Sequence, residues 1–293
     1  MRPVILYSSF QNGEYLPAYI RYVLLQLAPL GEVKFLTNFR RLAAAEIEFL
    51  EKNDIELFFT ENKGFDFGMW KRYLEFNPLE SSTRLLLLND SIVYYQKNLG
   101  DFIHKAELSE AKAVALLENA SPKPHLQSFF LYLKDSAISV FKSHLQETPL
   151  KENFEDTIQF FEIPFSEKLK KVGIQTFALF QTETDPIFSY RELIMQKCGF
   201  VKKRLLERRF SFEAQKHFWL HGKSKALYQN YSQLICTYGE KDVDFKRSYF
   251  PGYSKSTGIR FLEYIKGIAY RILAFFYFRF LKKYRDRFIR KAI

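Results

Sequence analysis

"RLLLLNDSI" (84–92) is the stretch that decides the fold. Four consecutive leucines leave no polar face, so a strand here has to be covered on both sides, as in a parallel sheet between two helical layers. The apolar run stops abruptly at Asn89-Asp90-Ser91, three turn-forming residues with a carboxylate in the middle. Upstream, "PVILYSSF" (3–10), "VKFLTNF" (33–39) and "IELFFTEN" (55–62) read as further strands. They alternate with the helical patterns "YLPAYIRYVLLQLAPLG" (15–31), "RLAAAEIEFLEK" (41–52) and "MWKRYLEF" (69–76). Downstream come "LGDFIHKAEL" as a helix, "AVALLEN" and "SFFLYLK" as strands, and "AISVFKSHLQE" as a helix. "ENFEDTIQFFEIPFSEKLKKVG" follows, helical with a break near Pro164, and "IQTFALF" is expected to be the last strand. Such alternation predicts an α/β domain with a mainly parallel sheet over 1–184, whose ligands bind beyond the carboxyl ends of the strands. Residues 185–254 read as a helical extension packed on that domain.

Composition narrows the classes. Of 293 residues, 47% are hydrophobic and 18% aromatic, enough for a large core and too many for a disordered chain. Two cysteines, Cys198 and Cys236, make neither a disulfide framework nor a zinc pattern, which fits a reducing, cytoplasmic setting. No secretory leader is evident, and no stretch approaches the roughly 20 apolar residues of a membrane span. His217 and His221 in "HFWLH" share a helix face but lack the further ligands of a zinc site.

The net charge of +11 is concentrated at one end. Residues 255–293 hold eleven Lys/Arg against two Asp/Glu, leaving the preceding body close to neutral. At about 100° per residue, Arg260, Arg271, Lys282 and Arg285 share one face and Leu262, Ile265, Ile272 and Phe276 the other. This pattern predicts a helix lying in an anionic membrane interface. A helix docked on the domain and a nucleic-acid-binding arm are the alternatives, the near-neutral body arguing against nucleic acid.

Two strand ends carry candidate chemistry. In "ENKGFDFGMWK" (61–71), Gly64 and Gly68 permit a tight turn and close backbone approach, and the next helix offers its N-terminus to negative charge. The glycine spacing matches neither the dinucleotide fingerprint nor the P-loop, and a simple turn with Asp66 as helix cap would also account for it. Asp90, just past a buried strand, is placed to hold a hard cation against a diphosphate; a turn cap is again the plain alternative.

Five blocks in order resemble the rhamnan synthesis F family of cell-surface polysaccharide glycosyltransferases. They are "ENKGFDFGMWK" (61–71), "LLLLNDSI" (85–92), "HLQSFFLYLK" (125–134), "FEIPFSEKLKKVGI" (161–174) and "YRELIMQKCGFVKKRLL" (190–206), covering roughly residues 3 to 206. The resemblance implies a GT-A-like Rossmann-type fold with a nucleotide-sugar donor such as dTDP-rhamnose, and a lipid-linked lipopolysaccharide or polysaccharide acceptor at the inner membrane face. It implies donor contacts from Ser8, Asn62, Gly64, Asp66, Gly68, Asn89, Asp90, Ser91, His125, Gln127 and Ser128, with Mg²⁺ or Mn²⁺ on Asp90. Inverting transfer also needs a carboxylate to take the acceptor proton. Glu162 is expected in that role, its pKa raised by desolvation between Phe161 and Ile163, with Glu155 and Asp156 as rivals. The alternative function is a non-catalytic glycan- or nucleotide-binding subunit of a polysaccharide assembly complex.

Overall fold

The computed structural model describes residues 2–203 apart from 11–12, 62, 80–83, 95, 152–153 and 187–188. The expected tail at 255–293, most of the 185–254 extension and Asn62 lie outside the described residues.

Strands β1 (Val4–Ser9), β2 (Glu32–Thr37), β3 (Ile55–Phe59) and β4 (Arg84–Asn89) alternate with helices α1 (Ala18–Leu27), α2 (Ala44–Lys52) and α3 (Phe65–Phe76). The four strands run parallel in the order β3-β2-β1-β4. Next come β5 (Ile92–Tyr94), α4 (Leu99–Leu108), β6 (Ala113–Asn119), β7 (His125–Leu126), β8 (Phe130–Lys134) and α5 (Ser136–Glu147). The described chain closes with α6 (Phe154–Thr157), a π-helical turn (Ile158–Glu162), α7 (Ile163–Lys171), β9 (Thr176–Thr182), α8 (Tyr190–Met195) and β10 (Phe200–Lys202). Strand β8 runs antiparallel between β4 and β6, β7 is antiparallel to β6, and β9 lies parallel beside β6. Within this sheet four pairings are parallel and three antiparallel, and the fold is the expected Rossmann-type α/β sheet.

The leucine run behaves as its composition demands. Leu85 and Leu87 enter the core formed with α3 and α5, Leu86 and Leu88 the core formed with α1 and α4, and all four are fully buried. At about 25 cal/mol per Å² of apolar surface, each such side chain contributes roughly 1.5–3 kcal/mol relative to exposure.

Helix α3 and strands β5 and β10 differ from expectation, whereas the break expected near Pro164 is present. Helix α3 begins at Phe65, four residues before Met69, because Gly64 adopts φ 80° and turns the chain into the helix early. The break near Pro164 is a π turn directly ahead of it, where side chains take up backbone carbonyls: His144 Nε2–H donates to Phe161 O (3.0 Å) and Ser166 Oγ–H to Glu162 O (2.9 Å). Finally, β9 is not the last strand. Phe200–Lys202, within the segment expected to be helical, pairs antiparallel with β5, which was also not foreseen. Strands of three residues are too short to display a period, and this pairing joins distant parts of the sequence. No helix among the described residues is long and apolar enough to cross a membrane.

Candidate active site

In a sheet wound this way, the carboxyl ends of β1, β2, β4, β6 and β9 lie along one edge, together with the starts of β7 and β8. Ser8, Ser9, Thr37, Asn89, Asp90, Asn119, His125, Gln127, Ser128, Glu162 and Thr182 gather there, more than half of the buried polar side chains described. Buried polar groups cost free energy unless they are paired, so their concentration at one edge marks where the fold carries something other than core.

The first cluster forms around Asp66, in the opening turn of α3. Gly64 (φ 80°) and Phe65 (φ 54°) are two successive left-handed residues, and they hold this partly buried carboxylate over the end of β1. Ser8 Oγ lies 2.8 Å from Asp66 Oδ1 and 3.2 Å from Leu88 O. Having one proton, Ser8 donates to the carboxylate when Asp66 is ionised and to Leu88 O when Asp66 is protonated and donates in turn. Burial, and after it the charge of Asp90, push the Asp66 carboxyl up to about 7; the Ser8 hydrogen bond and Lys203 oppose the rise. The glycines beside it do not open space for a ligand. A Cβ on Gly64 would sit 2.8 Å from Leu150 Cδ2, and one on Gly68 would overlap the Lys63 carbonyl. Asp66 lies within the helix rather than at its cap, which Gly64 occupies.

The second cluster surrounds Asp90. Register places Ser8 opposite Asn89, so Ser9 falls beside Asp90. Asn89 Oδ1 accepts from Ser91 N (3.1 Å) and Ser91 Oγ (2.5 Å), which closes the turn and turns Asn89 and Ser91 toward each other. One oxygen of Asp90, Oδ2, accepts three bonds: from Lys203 Nζ at 2.7 Å, Ser9 Oγ at 3.0 Å and Tyr19 OH at 3.4 Å. This donor set does not fit a divalent ion. A hard cation on Asp90 would meet an ammonium already seated on the same carboxylate, and among the described residues no three metal-ligating side chains cluster.

The third cluster surrounds Glu162, at the end of the π turn. Glu162 Oε1 accepts from Ser128 N (3.0 Å) and Ser128 Oγ (2.6 Å), and Oε2 from Gln127 Nε2 (3.1 Å). His125 Nε2 lies 3.5 Å from the same Oε2. Nδ1 of His125 faces the Lys123 carbonyl at 2.7 Å and therefore carries a proton. A neutral ring accepts from Gln127 Nε2 at 2.8 Å, whereas a protonated ring requires that amide to turn its oxygen inward. The expectation of a raised pKa for Glu162 is corrected here. Burial acts upward, but hydrogen bonds from His125 and Ser128 outweigh it and hold the carboxyl below its usual range. His125 responds in kind: burial acts downward, Glu162 outweighs it, and the imidazole is held above its usual range.

Packing links the clusters. Phe67, next to Asp66, stacks on Phe161, next to Glu162, with ring centroids 4.7 Å apart, and both rings are buried. Of the rival acids, Asp156 lies in α6 with partial exposure, and the Glu155 side chain is outside the described residues. Ser9, Tyr19 and Lys203 were not singled out in the sequence. Ser9 had a weak signal as the neighbour of Ser8 at a strand end, and Lys203 lies in the last resembling block (190–206) with nothing to pair it with Asp90, 113 residues away. A concavity of about 670 Å³ along β9, lined by residues including Glu118, Pro124, Phe177 and Gln181, contains none of the three carboxylates.

No family model matches the sequence, and no curated protein sequence matches it. Among solved structures, the chain is similar to a protein of Desulfovibrio desulfuricans assigned as a nucleotide-diphospho-sugar transferase (12% identity, 80% of this chain and 97% of that chain, TM-score 0.43). It is also similar to a glycosyltransferase involved in glycosylation of the major capsid of PBCV-1 (14% identity, 69% and 94%, TM-score 0.35). A third is a 4-diphosphocytidyl-2C-methyl-D-erythritol synthase (10% identity, 67% and 98%, TM-score 0.37).

Proposed function

We propose that this chain is a glycosyltransferase of the GT-A-like kind, moving a sugar from a nucleotide donor onto a cell-surface glycan. The observation that carries the reading is the convergence of Asp66, Asp90 and Glu162, each on its own hydrogen-bond network, at the carboxyl edge where α/β sheets bind ligands. Rhamnose as the sugar, inversion, and a lipid-linked acceptor rest on the sequence resemblance.

In this reading the acceptor proton goes to Asp66. A general base works best with a pKa near the working pH, and Asp66 at about 7 meets that condition. Glu162, held below its usual range, is a poor proton acceptor and a good anchor. It fixes Gln127 and Ser128, whose outward atoms would contact the donor sugar or the acceptor, with His125 behind them. The basic segment 255–293 would bring the enzyme to the membrane surface that bears the acceptor.

The test is turnover. A panel of nucleotide sugars is incubated with the full chain and release of nucleoside diphosphate is followed. Slow hydrolysis, lost in Asp66→Asn, supports a transferase. Binding of nucleotide sugar with no turnover on any lipid-linked acceptor would instead support a non-catalytic binding subunit.

A further inference from the structure

We infer that Lys203, seated on the Asp90 carboxylate, supplies the positive charge that holds a diphosphate at this edge, so that donor binding needs no divalent cation. The inference rests on the nucleotide-sugar reading above and deepens it.

The backbone fixes Lys203 in place. Strand β10 pairs with β5 up to Lys202↔Ile92, and the Lys203 N–H then donates to Ser91 O at 2.8 Å. The lysine is therefore tied to the turn that presents Asp90. Its Nζ lies 2.7 Å from Asp90 Oδ2 and 5.9 Å from the ring centroid of Tyr19, which binds the same oxygen. The side chain keeps 23% of its surface exposed against 11% for Asp90, so the lysine is the more accessible partner of the pair. An ammonium has three N–H donors, and among the described residues Asp90 takes one, which leaves two that phosphate oxygens could accept from. Lysine binds phosphate as a point charge that needs no fixed approach, which suits a flexible diphosphate.

The preceding residue strengthens the arrangement. Lys202 Nζ lies 4.4 Å from the Phe129 ring centroid, and its charge is felt by Glu162 and His125. Successive lysines at the end of one short strand thus serve the Asp90 and Glu162 clusters in turn. A divalent ion on Asp90 would compete with the Lys203 ammonium for the same carboxylate, and part of the positive field it would bring is already present.

The test uses the full chain, with calorimetric binding of UDP, dTDP, GDP, CDP and inorganic pyrophosphate in EDTA and again in excess Mg²⁺ or Mn²⁺. At least one nucleoside diphosphate is expected to bind in EDTA, with Kd changed less than about threefold by either metal. Lys203→Met should weaken that binding at least about tenfold in EDTA, and Lys203→Arg should restore much of it. Because Lys203→Met frees the Asp90 carboxylate, added Mn²⁺ should partly rescue that variant, and Mn²⁺ electron spin resonance should show metal bound to it and not to the wild type. Melting curves confirm that the variants are folded. Wild-type binding that is lost in EDTA and regained with metal would overturn the inference and leave the transferase reading intact. Absence of binding by every probe in both conditions would overturn both.

Discussion

Replacing Glu162 by alanine tests the wiring of the site through stability rather than activity. The carboxylate accepts from Ser128 N and Ser128 Oγ, faces His125 Nε2 at 3.5 Å, and accepts from Gln127 Nε2 when that ring is neutral, all within the buried edge. The Ser128 hydroxyl can rotate to another acceptor, but its backbone N–H and the imidazolium cannot. A stranded buried donor costs about 1–3 kcal/mol, and breaking a buried ion pair from one side about 3–5 kcal/mol. These penalties share one network and do not add, so the expected loss is about 3–5 kcal/mol. For a domain of this size that lowers the melting temperature by roughly 6–20 °C. Glu162→Gln keeps the shape and one acceptor and should cost about half as much. The pH dependence has a defined sign. Glu162, depressed in the folded state, contributes stability above its unfolded pKa that is lost as pH falls through the folded value. His125, raised in the folded state, contributes stability below its unfolded pKa that is lost as pH rises through the folded value. The gap between wild type and Glu162→Ala is therefore widest between about pH 4.3 and about pH 6.5. Differential scanning calorimetry across that range reads both effects. A variant melting within 2–3 °C of wild type at about pH 5.5 would refute the pairing.

Other variants probe the remaining clusters. Asp66 is raised on folding, so its contribution is complete below its unfolded pKa and declines as pH rises through about 7. Asp66→Asn should therefore raise the melting temperature at about pH 8 and change it little near pH 4 while abolishing turnover, and an unchanged difference across that range would contradict the assigned shift. Gly64→Ala forces a side chain into φ 80° against Leu150, and urea denaturation should show a loss of about 1–3 kcal/mol. Removing residues 252–293 should abolish flotation with liposomes containing anionic lipid, since each Lys or Arg near such a surface contributes about 1 kcal/mol; flotation equal to that of the full chain would refute the membrane-surface reading.

The scaffold was legible wherever a segment was long enough to show its period. Leu85–Leu88 predicted two cores, one on each face, and α4 and β6 begin and end where their patterns do. Strands β5 and β10, three residues each, carried no such signal. For the site, the sequence placed Ser8, Asp66, Asp90, Gln127, Ser128 and Glu162, and the structure brings all six to one edge. It did not disclose what each group would bond. Burial of Glu162 was readable from Phe161 and Ile163. Its donors come from Gln127 and Ser128, 35 and 34 residues away, and they reverse the sign of its pKa shift. The glycines misled in the opposite way. Their spacing suggested room for a ligand, and the room is filled by Leu150 and the Lys63 carbonyl.

Three carboxylates on one edge would repel a diphosphate if all stood ionised and bare, and each is neutralised by a different device. Asp90 carries the Lys203 ammonium, Glu162 faces an imidazole whose affinity for protons it raises, and Asp66 takes up a proton of its own near neutral pH. These devices depend on one another, because the charge of Asp90 is one reason that Asp66 is raised, and Lys203 opposes that rise. Removing the Lys203 charge should therefore push the Asp66 pKa further up as well as weaken anion binding, whereas a diphosphate seated on Lys203 would add negative charge beside Asp66 and raise its proton affinity further. Donor binding would then make Asp66 a stronger base while moving the range in which it is ionised to higher pH. The pH at which turnover is half-maximal should lie higher with saturating donor than for the free enzyme, and Lys203→Met should move the free-enzyme value in the same direction. If both profiles coincide with those of the wild-type free enzyme, Asp66 and Lys203 do not share a field, and the two clusters act independently.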